Sequence, residues 1–122
     1  MLSPDGVLDR DALVRLGEDV QDHGFALSFA QRYRAMLSGR VERLVAALAQ
    51  GDLVDAMDAV LSLKVSSITM GTRELAGLAI SVEQEVRRRD VAAACSRAAH
   101  LRSAATRAES ALDDYLASYR PR

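Results

Sequence analysis

The chain has 122 residues, enough for one compact domain with a hydrophobic core and too few for two ordinary domains. Its 16 basic and 17 acidic residues give a formal net charge of -1, so no overall charge favours binding to nucleic acid or to an anionic membrane. Two prolines, no tryptophan and 4% aromatic residues favour helices over a β-sandwich or barrel. We therefore predict a single all-α domain over residues 1–122.

Cysteine usage and the N-terminal residues bear on chemistry and location. The single Cys95 excludes an internal disulfide, and two histidines with one cysteine do not make a zinc pattern. No window approaches about 18 uninterrupted apolar residues, and Asp5, Asp9 and Asp11 do not fit a secretion signal. We expect a cytoplasmic, soluble protein that binds no metal and no cofactor.

Capping residues and apolar spacing predict a short first helix and a long second one. The first would follow Asp9 and run over roughly 10–17. The apolar residues expected to close one end of the core there are Leu8, Leu13, Val14 and Leu16. The second would run from about 22 to 50, because apolar residues recur at steps of three and four. These residues are Phe25, Phe29, Tyr33, Met36, Leu37, Val41, Leu44 and Leu48.

Three more helices are predicted downstream, separated by short stops. The third would run from Leu53 to about Thr69, between two junctions (51–52 and 71–72) in which a glycine ends one helix and a polar residue can cap the next. The fourth would end at the basic run 87–89, which we interpret as a solvated helix end. The fifth would follow Asp90 and continue to about Tyr119. Such short links predict an antiparallel up-down-up-down four-helix bundle with a short extra N-terminal helix.

The stretch Leu61-Ser62-Leu63-Lys64-Val65-Ser66-Ser67, continued to Leu75, resembles the signature of histidine phosphotransfer (HPt) domains. That signature reads approximately Ala-His-x-Leu-Lys-Gly-Ser-(Ser or Ala), followed by a glycine and a leucine. The residues at the family spacing are Leu63, Lys64, Ser66, Ser67, Gly71 and Leu75. The junction 48–52 and the pair Val82-Glu83 extend the likeness over about 7–117. The resemblance implies an HPt-like bundle that acts in a two-component phosphorelay.

Two positions depart from the HPt signature. Leu61 stands where the family has its phosphorylated histidine, and Val65 stands where it has a small glycine. Leucine has no lone pair to accept a phosphoryl group, and a β-branched residue obstructs the close approach of a partner. His23 and His100 lack the surrounding motif, so we expect structural or surface roles for both. The resemblance therefore implies a degenerate HPt protein that is not an enzyme.

On a helical wheel of the third helix, Val54, Leu61, Val65 and Ile68 share an arc distinct from the one expected to pack inside the bundle. Asp58 and Lys64 border this arc, and the family lysine that Lys64 matches supplies positive charge near the phosphoryl group. In the family this is the docking face for a receiver domain. We therefore expect these six residues to bind a response-regulator receiver domain or a histidine-kinase pathway protein.

Other interpretations of this arc stay open. The arc could be buried between two copies in a homodimer, which would make the chain a structural or regulatory bundle with no phosphorelay role. It could also be core, if the helix is rotated relative to the family. An enzyme of another type would have only scattered hydroxyls and carboxylates, such as Ser62 and Asp55, to work with. No interaction with nucleic acid or membrane is expected.

Overall fold

The computed structural model of the chain describes residues 4–19 and 23–118, with the side chains of 6–15 and 27–118. Every regular element in these ranges is a helix. The seven helices are α1 (Pro4–Val7), α2 (Arg10–Asp19), α3 (His23–Ala49), α4 (Leu53–Met70), α5 (Arg73–Arg87), α6 (Val91–Ala98) and α7 (Leu101–Ser118). Over the same ranges, no helix is both long enough and apolar enough to cross a membrane.

The predicted glycine stops on either side of α4 and the predicted caps at Asp52 and Asp90 are confirmed. Gly51 and Gly71 have positive φ angles of 69° and 76°, which glycine adopts without the steric cost of a Cβ atom. Asp52 caps α4, because its Oδ1 accepts a hydrogen bond from the amide of Asp55 at 3.0 Å. Asp90 caps α6 through the amide of Ala93 at 3.1 Å. These local signals set where α4, α5 and α6 begin.

The core lies between α3, α4, α5 and the consecutive helices α6 and α7. α3 packs against α4 and α7, and α5 packs against α4, α6 and α7. α2 covers α3 and α4, whereas α1 lies against α5 and α7. The largest fully buried side chains on α3, α4, α5 and α7 include Leu37, Leu44, Leu63, Met70, Leu75, Leu101 and Leu112. The predicted all-α antiparallel four-helix bundle is confirmed.

The predicted fifth helix is wrong as a single element. It is divided into α6 and α7 at Ala99 and His100, where the amide of His100 bonds the carbonyl of Arg97, three residues back, at 3.0 Å. This tighter turn interrupts the four-residue hydrogen-bond pattern, which resumes from Ala104 to the His100 carbonyl at 3.1 Å. No glycine or proline marks the break in the sequence. The predicted end near Tyr119 lies outside the described residues.

The N-terminal segment and three apolar side chains also differ from expectation. Residues 4–7, which precede the first predicted helix, form a short helix of their own, α1. Val14, Phe29 and Met36 were expected in the core but are 40%, 39% and 51% exposed. Val14 follows the buried Leu13 on α2, a helix that only covers one end of the bundle. Phe29 and Met36 lie at the edge of the buried face of α3. The side chains of Leu16 and Phe25 are outside the described residues.

Gly71 is held against the N-terminal segment. The amide of Asp9 donates to the Gly71 carbonyl at 2.5 Å. A Cβ atom on Gly71 would lie 2.5 Å from the Asp9 carbonyl oxygen and 2.8 Å from the Ala12 Cβ. The Asp9 carboxylate also contacts Arg73 at 3.0 Å and Arg15 at 3.3 Å. Glycine is therefore needed here both for its positive φ and for the close approach of α2.

Three buried hydroxyls join α3 to the same turn. Tyr33 Oη lies 2.7 Å from Thr72 Oγ1 and 3.0 Å from Ser67 Oγ. Thr72 Oγ1 also donates to the Ser67 carbonyl at 3.2 Å, so Tyr33 donates to Thr72 and accepts from Ser67. Thr72 was expected to cap α5 with its side chain, but its hydroxyl makes no such bond. The network holds Ser67 inward and thereby fixes the rotation of α4.

Alanine substitutions at Gly71, Gly51 and Gly39 separate the effect of backbone strain from the effect of close packing. Gly71→Ala is expected to lower the free energy of unfolding by about 2–4 kcal/mol, because it combines left-handed strain with overpacking. Gly51→Ala adds only the strain, about 1–2 kcal/mol, since nothing lies within 4 Å of its Cβ position. Gly39→Ala in open helix is expected to raise stability by up to about 1 kcal/mol. Urea unfolding followed by circular dichroism measures all three. Equal losses at positions 71 and 51 would contradict the close approach to Asp9.

Candidate partner-binding face

An aliphatic strip runs along the outer surface of α4. Val54, Val65 and Ile68 are 85%, 60% and 55% exposed. Leu61 between them is partly buried and lies outside the core cluster. We call these four residues the α4 strip; it is about 21 Å long at 1.5 Å per residue. Because Leu63 and Ser67 are fully buried on the opposite side of α4, the interpretation of the arc as core is wrong.

A groove between α3 and α4 borders the strip. It encloses about 490 Å³. Its lining residues are Phe29, Arg40, Asp58, Leu61, Ser62, Val65, Ser66 and Thr69. A smaller groove of about 190 Å³ adjoins it and is lined by Phe29, Arg32, Tyr33, Met36, Arg40 and Ser66. The exposed Phe29 and Met36 therefore extend the apolar surface from α4 onto α3.

Lys64 is engaged by an acidic residue of α5. Its Nζ lies 2.6 Å from Glu83 Oε1, and Arg87 Nη2 lies 2.8 Å from Glu83 Oε2. The hydrogen bond from Lys64, followed by that from Arg87, holds the pKa of Glu83 below its usual range. The Glu83 side chain is only 11% exposed, so this carboxylate stays charged and in place. The Lys64 ammonium is thus held in an ion pair within the chain, with a carboxylate that it shares with Arg87.

Asp58, the acidic residue on the other border of the strip, is also paired. Arg43 Nη2 contacts Asp58 Oδ2 at 2.7 Å and Asp55 Oδ1 at 2.6 Å. Hydrogen bonds to Asp55 and then Asp58 raise the pKa of Arg43. The Asp58 side chain remains 74% exposed, so it sits at the rim of the face and not in its apolar centre. The two carboxylates share one arginine, which argues against a pair of carboxyl groups poised for acid-base catalysis.

Two hydroxyls at this face are bonded back to their own helix, and neither histidine is among the described lining residues. Ser66 Oγ donates to the Ser62 carbonyl and Thr69 Oγ1 to the Val65 carbonyl, each at 2.9 Å, so both are bonded back to their own helix. His100 is exposed at the turn between α6 and α7. His23 begins α3, but its side chain is outside the described residues. Among the described lining residues of the two grooves there is no histidine or cysteine.

The sequence did not indicate which charges meet around the strip. Glu83 was noticed only as part of the Val82-Glu83 pair, whereas its contact with Lys64 joins two different helices. Arg43 likewise reaches α4 from α3. Such pairs have no local sequence signal, because helical spacing rules relate only residues three or four positions apart. Within the described ranges, no cluster of three or more potential metal ligands occurs.

No protein-family model matches the chain, and no curated protein matches it. Histidine-containing phosphotransfer protein B from Pseudomonas aeruginosa PAO1 superposes with a TM-score of 0.81 at 24% identity, covering 93% of this chain and 96% of that one. The HPt domain of a sensor hybrid histidine kinase from Shewanella superposes with a TM-score of 0.79 at 19% identity, covering 98% and 100%. At such identities the likeness establishes the fold. The chain has the helical-bundle fold of histidine phosphotransfer domains.

Proposed function

We propose that this chain is an HPt-like signalling module that binds a response-regulator receiver domain through the α4 strip and does not itself carry phosphate. One observation carries the proposal: in a chain with the HPt fold, Val54, Val65 and Ile68 are exposed around the partly buried Leu61, the residue that the sequence resemblance aligns with the phosphorylated histidine. Another protein of the same histidine-kinase pathway is the broader form of the same proposal.

Three features of the face argue against phosphate transfer. Leu61 offers no atom that can attack a phosphoryl group. Val65, which is 60% exposed, projects where the family has a glycine, and it would hold a partner away from the helix. Lys64 lies against Glu83 at 2.6 Å, so its ammonium is already engaged in an ion pair. The first two features remove the nucleophile and the space for a close partner, and the third holds the family lysine in an ion pair with Glu83.

Other features of the face favour protein binding. Removing apolar surface from water contributes roughly 25 cal/mol per Å², so covering the exposed strip is favourable. The strip and the neighbouring groove form an apolar centre, and ion-paired side chains such as Asp58 and Lys64 surround it. An apolar centre with a charged rim is the usual anatomy of a protein interface. A receiver domain is proposed as the partner because the two similar structures are a phosphotransfer protein and part of a sensor kinase.

Leu61→Asp tests the docking face. It is expected to weaken receiver binding at least about tenfold, because it places a charge in the apolar contact, while the melting temperature changes little. The matched control is Ser110→Asp, which adds the same charge at an exposed position of α7, a helix that packs against α3 and α5. The measurement is calorimetric titration with purified receiver domains of the source organism, with and without beryllofluoride. Loss of binding in the control alone, or no binding by the unsubstituted chain, would contradict the proposal.

The unsubstituted chain and the Leu61→Asp variant also test whether the α4 strip mediates self-association. Sedimentation velocity at tens of micromolar would reveal a dimer if the strip is buried between two copies. A dimer that Leu61→Asp dissociates, combined with no receiver binding, would replace the proposed function by that of a homodimeric structural or regulatory bundle. A monomer that binds a receiver is the expected result.

Phosphate transfer can be tested directly. The unsubstituted chain, mixed with an active kinase and receiver, is expected to gain no acid-labile phosphate. Leu61→His combined with Val65→Gly supplies the missing nucleophile and the missing space, and this variant is expected to become labelled. Adding His100→Gln to that variant should leave the label in place. Acid-labile phosphate on the unsubstituted chain, at His23 or His100, would contradict the account.

A further inference from the structure

Arg40 is a cation without a carboxylate partner in the described part of the chain, and it lies where the two grooves meet. It lines both the groove beside Leu61 and the smaller groove beside Met36. Its side chain is partly buried, and its one hydrogen-bonding contact given by the structure is to Met36 Sδ at 3.9 Å, a weak acceptor. A guanidinium in such a position still has most of its five donors available.

Two of the other three arginines of α3 are used differently, while the third, Arg32, is exposed and lines the smaller groove. Arg34 reaches Asp113 on α7 at 2.9 Å, and Arg43 reaches Asp55 on α4 at 2.6 Å. These two arginines tie α3 to its neighbours, so their role in the bundle is structural. Arg40 lies between them in sequence, yet it ties α3 to no other helix by an ion pair among the described residues. Its charge is therefore directed to the groove and is available to a molecule that docks there.

We propose that Arg40 selects the docking partner by receiving a carboxylate from it. The partner surface would present an apolar patch to Leu61 and Val65 and, beside that patch, an aspartate or glutamate to the Arg40 guanidinium. This inference rests on the proposed function, because it names the chemistry that a receiver domain must offer at this site. Closure of the interface would remove water from the groove, and charge-assisted hydrogen bonds are stronger there than in open solvent.

The carboxylates bordering the strip explain why a second copy fits this role poorly. Asp55 and Asp58 are bound by Arg43, and Glu83 is bound by Lys64 and Arg87. A symmetric pairing of two faces would bring in two Arg40 side chains, and the carboxylates of this border already form ion pairs within their own chain. A different protein with its own acidic group satisfies Arg40 without breaking these ion pairs. Charge complementarity thus favours an acidic partner over self-association.

The test measures receiver affinity for four forms of the chain: unsubstituted, Arg40→Gln, Arg40→Lys and Arg102→Gln. Arg102 pairs with Glu42 at 2.6 Å on the side of the bundle formed by α3 and α7, so its neutralisation is a matched change of net charge. Arg40→Gln is expected to weaken binding about tenfold and to flatten its dependence on salt between about 50 and 300 mM. Arg40→Lys should recover part of the loss because it keeps the charge, and Arg102→Gln should change neither quantity.

Neutralising the acidic residues of the receiver one at a time then identifies the contact. A double-mutant cycle should show energetic coupling between Arg40 and one of these carboxylates, with additivity at the others. Unchanged affinity and salt dependence in Arg40→Gln, with normal binding by the unsubstituted chain, would overturn this inference and leave the proposed function standing. Equal losses in Arg40→Gln and Arg102→Gln would also overturn it, since they would show an effect of net charge alone. No receiver binding by the unsubstituted chain would overturn both proposals.

Discussion

The turn between α4 and α5 fixes the geometry on which the rest of the molecule depends. Gly71 takes a left-handed conformation there, and its missing Cβ lets the Asp9 backbone approach. On the inner side of the turn, Tyr33 joins the hydroxyls of Ser67 and Thr72. Buried hydroxyls are costly unless they are bonded, so α4 cannot rotate without breaking this network. The inward position of Ser67 therefore determines which residues of α4 face outward.

The same rotation accounts for the character of the candidate site. With Leu63 and Ser67 buried, the α4 strip must face solvent, and it carries aliphatic side chains where the HPt signature has a nucleophile and a glycine. Around it, Glu83 engages Lys64, and Arg43 engages Asp58. Arg40, which lines both grooves, has no carboxylate partner among the described residues. The proposed recognition face thus has an apolar centre, with the Arg40 guanidinium in the groove beside it.

Most of the fold could be predicted from the sequence because its determinants are local. Apolar spacing placed α3, α4 and α5, and the junctions at Gly51 and Gly71 placed their ends to within one or two residues. The break before Leu101 was not predictable, since it arises from a tightened turn within an alanine-rich segment that has no helix breaker. The outward positions of Phe29 and Met36 were missed because both are at the edge of a wide apolar arc, where the packing of α4 decides burial.

The candidate site was only partly predictable for the same reason. The departures at Leu61 and Val65 were visible in the motif, and the exposed side of α4 followed from its periodicity. The pairing of Lys64 with Glu83 and the isolation of Arg40 depend on how separate helices meet, and no spacing rule within one helix indicates them. What the sequence could supply was the family resemblance and the missing nucleophile. The charge pattern that distinguishes one docking partner from another required the assembled bundle.

Mapping the bound surface by NMR tests the central claim most directly. The isotope-labelled chain would be titrated with a receiver domain, and the changes in its amide signals followed residue by residue. The account predicts that the changes concentrate at Val54, Leu61, Val65, Ile68 and the adjoining groove of α3, while α6 and α7 stay unaffected. Changes centred on α6 and α7, with the α4 strip unperturbed, would contradict it.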